Sequence, residues 1–258
     1  MRRMQLGAAA LLVSAGVACS DSTNPQVGKG QNVSLSFAGR VPGAAGVQSV
    51  TDLAGDSMIV TSGANTLVIT NVEVVLRKIE LKRQTTAVDC DSTANEDACE
   101  EFTLGAMLVN VPLAAGVTTA FTIPIDSGTY TKAEFKIHKP GNDSVDLAFK
   151  AANPTWPNNV SIRVHGRYNG VAFTYTTPLN VDQETTFNPA LVIDASGSTT
   201  NLTLRVDVAT WFKTTAGALI DPATANTGGA NESVVKDNIK NSFKAFEDHD
   251  HDGNETNG

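Results

Sequence analysis

Apolar and polar residues alternate with a period of two through much of the chain, and this alternation most limits the possible folds. In residues 202–208 every second residue is apolar and the residues between them are polar. Such alternation is typical of β-strands with one buried and one solvent-facing side. The same pattern recurs in residues 33–37, 121–125, 133–137, 145–149 and 160–165. We therefore predict that these six segments are strands.

Turn-forming residues separate the predicted strands. The clearest case is Asn169-Gly170, which lies between residues 164–168 and 171–175. Both residue types tolerate positive φ, so this dipeptide predicts a tight β-hairpin. Many short strands joined by turns favour a sandwich or a barrel. We predict an all-β fold, an antiparallel β-sandwich over residues 32–227, built as one domain or as two packed lobes.

Residues 72–81 fit two patterns. Val72, Val75, Leu76 and Ile79 would share one face of a helix. The same segment also fits a strand whose phase slips near Arg77-Lys78. Its β-branched residues favour the strand, with a bulge absorbing the slip.

The C-terminal segment, residues 228–258, has a different pattern. Val235, Ile239, Phe243 and Phe246 recur at spacings of four, four and three. This spacing predicts one C-terminal amphipathic helix of about four turns, with Asn231 as its N-cap.

The N-terminus indicates export. A basic start and a short apolar run precede Cys19, which is typical of a secretory signal over residues 1–18. The small residues before Cys19 resemble the lipobox of bacterial lipoproteins, in which the cysteine is lipidated and becomes the new N-terminus. Ser20 resembles an outer-membrane sorting residue. We expect a lipid anchor on Cys19 in the outer membrane and a flexible tether over residues 19–31; the alternative is an ordinary signal peptide with a chance cysteine.

The charge of the chain limits its partners. The formal net charge is −8, and it becomes −10 when Arg2 and Arg3 leave with the signal segment. An acidic surface disfavours nucleic acid as a partner. The expected partners are the membrane, through the lipid on Cys19, and an unidentified extracellular or periplasmic ligand.

Two further cysteines, Cys90 and Cys99, lie close together in the sequence. Outside the cytoplasm, nearby thiols usually form a disulfide, which is the pairing we predict. A metal or redox pair is the alternative, but the spacing of the two cysteines is not that of known metal ligands.

The acidic tail contains the sharpest chemical motif. Asp248, Asp250, Asp252 and Asn254, with Gly253, match the first half of an EF-hand calcium loop, in which alternate side chains converge on one ion. The twelfth position of that loop would fall at residue 259, so another segment, such as the acidic stretch around Cys90 and Cys99, would have to complete the shell. We predict weak calcium binding; the alternatives are a solvated acidic tail and a transition-metal site assisted by histidine.

Residues 67–137 resemble a bacterial lipoprotein family built on domain of unknown function 4382. The resemblance rests on residues 67–74, 108–113 and 125–135, the last of which contain a Gly-x-Tyr turn at Gly128 and Tyr130. It implies a β-sandwich, described in that family as carbohydrate-binding-like, in the cell envelope. It implies no catalytic residue.

No catalytic motif stands out in the sequence, so we do not expect an enzyme. Trp156 lies in a loop rich in proline and asparagine, where an exposed indole would stack on a sugar ring and a buried one would pack in the core. The first functional hypothesis is a non-catalytic lipoprotein whose β-sandwich binds a ligand such as carbohydrate. The second is a structural or adhesive surface protein with a calcium-ordered C-terminal tail.

Overall fold

The structure is a computed structural model of the chain. It describes residues 31–39, 47–50, 57–83, 100–103, 106–114, 117–194, 200–248, 250 and 252–254. The predicted signal segment, residues 19–30 of the predicted tether, the lipidation site Cys19 and the predicted Cys90–Cys99 disulfide lie outside these residues, so they remain predictions. Gln31, the last residue of the predicted tether, is the first residue of a β-strand, Gln31–Ala38.

The described residues are mostly β-strand, which confirms the all-β prediction. Their thirteen strands are β1 Gln31–Ala38, β2 Val47–Val50, β3 Ser57–Ser62, β4 Asn65–Arg83, β5 Glu100–Thr103, β6 Met107–Asn110, β7 Thr118–Ile125, β8 Gly128–Ile137, β9 Ile162–Tyr168, β10 Val171–Thr177, β11 Val181–Ile193, β12 Thr200–Val206 and β13 Phe243–Glu247.

These strands form two sheets. The smaller sheet has the order β13-β12-β1-β7, and the larger one contains the path β10-β9-β4-β3-β2. In the larger sheet β5, β6 and β8 also pair with β4, and β11 pairs with β8.

The apolar sides of both sheets enter one buried cluster. Leu35 of β1 and Leu204 of β12 come from the smaller sheet, and Ile69 of β4 and Phe135 of β8 come from the larger one. Pairing is antiparallel except between β1 and β12, which run parallel. Two mostly antiparallel sheets that share one core are consistent with the predicted sandwich.

Strand β4 is the long central strand of the larger sheet. Its register with β8 shifts between Leu76 and Lys78, which confirms the strand prediction and the phase slip near Arg77-Lys78. The helical alternative for this segment is wrong. A bulge lets the strand keep apolar side chains buried on both sides of the slip.

The predicted hairpin at Asn169-Gly170 is confirmed. Val171 pairs with Tyr168, and φ is 50° at Asn169 and 83° at Gly170. Positive φ at both central residues is what a two-residue turn of type I′ requires.

The strand predicted over residues 145–149 is wrong, because this segment lies in helix α1, Ser144–Ala152. Asp143 caps the helix by accepting a hydrogen bond from the backbone N–H of Asp146 at 2.8 Å. Phe149 is buried, whereas Leu147 is 54% exposed, so the alternating apolar residues do not share one buried side. The cap and the burial of Phe149 outweigh the two-residue pattern.

The prediction of a four-turn C-terminal helix is wrong beyond its first half. Helix α2 covers Glu232–Lys240, and Phe243 and Phe246 lie in strand β13 instead. Strand β13 pairs antiparallel with β12. Asn231 occupies the N-cap position, but its side chain donates to Thr224 Oγ1 at 2.8 Å and does not cap the helix. A spacing of four, four and three does not distinguish a longer helix from a short helix followed by a strand.

Candidate metal centre

The candidate site begins at Asp248, directly after β13. The backbone N–H of Asp248 donates to the carbonyl oxygen of Asn201 at 2.9 Å, which extends the β12–β13 ladder by one residue. Asp248 is fully buried. This backbone pairing therefore holds the Asp248 carboxylate at the end of the sheet.

One oxygen of the Asp248 carboxylate is satisfied and the other is not. Oδ2 accepts a hydrogen bond from Thr203 Oγ1 at 2.8 Å and another from the backbone N–H of Gly253 at 3.1 Å. Oδ1 is buried and has no hydrogen-bond partner among the described residues. An unpaired buried carboxylate oxygen is costly, because water no longer solvates it.

Asp250 and Asp252 bring two more carboxylates to this point. One oxygen from each of Asp248, Asp250 and Asp252 lies within 4.8 Å of the others. The backbone folds back at Gly253, where φ is +79°. The predicted convergence of these three side chains is therefore present in the structure.

Asn254, the fourth predicted ligand, contacts Asp252. Its backbone N–H donates to Asp252 Oδ1 at 2.6 Å, and its side-chain amide donates to Oδ2 at 2.7 Å. These hydrogen bonds hold the pKa of the Asp252 carboxyl below its ordinary value, the side-chain bond having the larger effect. Asn254 thus orients an ionised carboxylate.

Arg205 of β12 reaches this loop but forms no ion pair with the three carboxylates in the described part of the chain. Arg205 Nη1 donates to the carbonyl oxygen of Gly253 at 3.3 Å, and its guanidinium lies over the ring of Phe246 at 5.1 Å. A hard divalent cation would suit the three carboxylates, since such ions prefer oxygen ligands.

The surroundings of the site differ from the predicted EF-hand geometry. The loop follows strand β13, whereas the sequence predicted that it follows a helix. The acidic stretch around Cys90 and Cys99, predicted as a further donor, lies outside the described residues. Sequence reasoning missed Thr203, because its position on the polar side of β12 does not reveal that it is buried beside Asp248.

Trp156, the predicted ligand-binding residue, is buried in a second apolar cluster with Val75, Phe149 and Val160. Its indole is 8% exposed, and its Nε1–H donates to the carbonyl oxygen of Val160 at 2.8 Å. The guanidinium of Arg163 lies 4.7 Å from the ring centre. The exposed position that stacking on a sugar would require is therefore absent at Trp156.

An apolar groove of about 650 Å³ runs beside this cluster, between β6 and α1. Met107, Leu108, Val145 and Ala148 contribute to its lining. Phe149, the aromatic residue in the lining, is buried. Among the described residues that line the groove, none therefore offers a sugar an exposed aromatic ring.

Comparisons with known proteins add no family assignment. No family model, no curated protein and no solved structure matches the chain. The resemblance to the lipoprotein family stays a prediction. None of the helices in the described part of the chain is long and apolar enough to span a bilayer.

Proposed function

We propose that this chain is a non-catalytic, exported, lipid-anchored protein whose C-terminal tail binds calcium, and that the ion holds the last strand on the β-domain. The observation that carries the proposal is the buried Oδ1 of Asp248, which has no hydrogen-bond partner among the described residues. Export and anchoring rest on the N-terminal residues that precede Cys19.

Calcium fits the ligand set. Calcium takes six to eight oxygen ligands in flexible geometry, whereas magnesium demands a near-ideal octahedron and gives up its waters reluctantly. Asp248, Asp250 and Asp252 supply carboxylate oxygens from a short loop. Carboxylates repel one another at this separation, and a divalent cation between them removes that repulsion.

The position of the site suggests what the ion does. Strand β13 lies at the edge of the smaller sheet. Asp248 joins the end of this strand to Thr203 of β12, and Gly253 joins the following loop to Arg205. An ion held by Asp248 and the loop would therefore fasten β13 to β12. Binding to the folded state alone stabilises it by about 2.7 kcal/mol when free calcium is 100 times its dissociation constant.

The test is calorimetric titration of the metal-free chain with calcium. We expect saturable binding with a dissociation constant in the micromolar to millimolar range. Asp250→Asn should weaken calcium binding strongly, because it removes one of the three carboxylates. Since Asp250 is exposed, the substitution should leave the fold intact. Asp237→Asn is the matched control, since Asp237 is an exposed aspartate of α2 that forms an ion pair with Lys240.

Three outcomes would contradict the proposal. The heat of the wild-type titration could equal the heat of dilution. The Asp250→Asn variant could bind as tightly as the wild type. The chain could bind zinc and leave calcium unbound, which would favour the transition-metal alternative.

A further inference from the structure

We infer that the side-chain oxygen of Asn201 is a further ligand of the ion held by Asp248, so that strand β12 itself forms one wall of the cation site. This inference rests on the calcium site proposed above. It adds to the acidic loop a neutral ligand that comes from a residue 47 positions earlier in the chain.

The strand register brings Asn201 and Asp248 together. The backbone N–H of Asp248 donates to the carbonyl oxygen of Asn201 at 2.9 Å. Directly paired residues of antiparallel strands project their side chains to the same side, with Cβ atoms about 5 Å apart. Thr203, two residues along β12, shares that side and contacts Asp248 Oδ2 at 2.8 Å. The side chain of Asn201 is thus on the side of the sheet that carries the site.

The Asn201 side chain is buried and incompletely satisfied. Asn201 is 7% exposed, and its Oδ1 has no hydrogen-bond partner among the described residues. Asp248 Oδ1 is also buried and also has no hydrogen-bond partner among the described residues. Both atoms are acceptors, so they cannot bond to each other. A cation placed between them would satisfy both at once.

The neighbour of Asn201 on the other side does not supply the missing donor. Ser34 of β1 pairs with Asn201 in the parallel β1–β12 register. Its hydroxyl is hydrogen-bonded to Thr122 Oγ1 of β7 at 3.2 Å and is not hydrogen-bonded to Asn201 Oδ1. The Oδ1 of Asn201 is therefore left for the ion, and amide carbonyl oxygens are regular calcium ligands.

The first measurement compares calcium binding by the full chain and by its Asn201→Leu variant, which has a side chain of similar size without the oxygen. We expect calcium affinity to fall by at least about 10-fold, because losing even a group that only orients the ligands of a metal site costs about 10-fold to 100-fold. In chelator the variant should unfold at the same temperature as the wild type or a higher one, because it no longer buries an unpaired oxygen.

The second measurement counts the waters bound to the ion, using terbium in place of calcium and its luminescence lifetime. Loss of a protein ligand opens one position to water, so Asn201→Leu should carry about one more bound water than the wild type. Asn201→Ser, whose shorter side chain cannot reach the ion, should behave in the same way and serves if the leucine variant does not fold.

The outcomes separate this inference from the proposed function. A wild-type chain that does not bind calcium refutes the calcium site itself. A wild type that binds, with variants of unchanged affinity and unchanged bound water, refutes only the role of Asn201 as a ligand.

Discussion

Replacing Trp156 with alanine tests whether this residue is a core residue or a ligand-binding one. Trp156 packs against Phe149 edge to face, with ring centres 6.4 Å apart, and it lies in the cluster that also contains Val75 and Val160. Arg163 covers the ring and is itself held by Glu73 through hydrogen bonds of 2.6 and 2.9 Å. The substitution therefore removes the contact surface of several neighbours at once.

The expected magnitude follows from burial. Since the indole is 8% exposed, its removal should cost about 3–5 kcal/mol of unfolding free energy, the range for deletion of a buried tryptophan or phenylalanine. Trp156→Phe keeps an aromatic ring but leaves the carbonyl oxygen of Val160 without its donor, which should cost about 1–3 kcal/mol.

The assay is urea unfolding followed by circular dichroism, because tryptophan fluorescence changes with the substitution itself. Val171→Ala is the control: Val171 is 72% exposed, so its truncation should change the stability by less than about 0.5 kcal/mol. A cost below about 1 kcal/mol for Trp156→Ala would refute the packed position. Trp156 would then be available to a ligand, as the first functional hypothesis requires.

Two further substitutions test the sheet and a buried acid. Gly166→Ala places a Cβ atom 2.1 Å from the carbonyl oxygen of Val68 on β4 and 2.9 Å from the ring of Phe173. We expect this crowding to lower the free energy of unfolding by about 1–3 kcal/mol or more, measured by thermal unfolding. An unchanged transition would contradict the close approach of β4 and β9. Asp207→Asn should stabilise the protein more at pH 7 than at pH 4, because burial raises the pKa of the Asp207 carboxyl, with two nearby basic side chains opposing the shift. Well below the ordinary pKa of an aspartate, about 3.9, this carboxyl is neutral in both states. As pH rises through that value the unfolded chain ionises first, which lowers the stability of the wild type alone. Melting temperatures across this range measure the difference, and a difference that does not change with pH would refute the argument.

Local patterns predicted the strands well where one side is buried. The alternation in residues 202–208 and the Asn169-Gly170 turn both follow from backbone geometry within a few residues, and both are present in the structure. The slip in β4 was also visible, because the apolar phase changes at Arg77-Lys78. In these cases the residues within a short segment are enough to predict its conformation.

The patterns failed where a distant contact decides the conformation. Residues 145–149 alternate like a strand, yet they are helical and bury Phe149 in a cluster with Val75 and Trp156. Phe243 and Phe246 continue a helical spacing, yet β12 has an edge with which they pair. These packing and pairing partners lie outside the short segments themselves, so the spacing of apolar residues alone does not distinguish a helix from a strand.

In the candidate metal site, too, one part follows from local sequence and another part depends on contacts between distant segments. The sequence by itself determined which carboxylates can converge, since Asp248, Asp250 and Asp252 alternate ahead of a glycine that permits the turn. Only the tertiary structure decided that Asp248 is buried at the end of a strand, that Thr203 binds one of its oxygens, and that Asn201 lies opposite it. The reason is physical: spacing along a chain sets which side chains can reach a common point, but burial and unpaired oxygens arise only when strands far apart in sequence pair and exclude water.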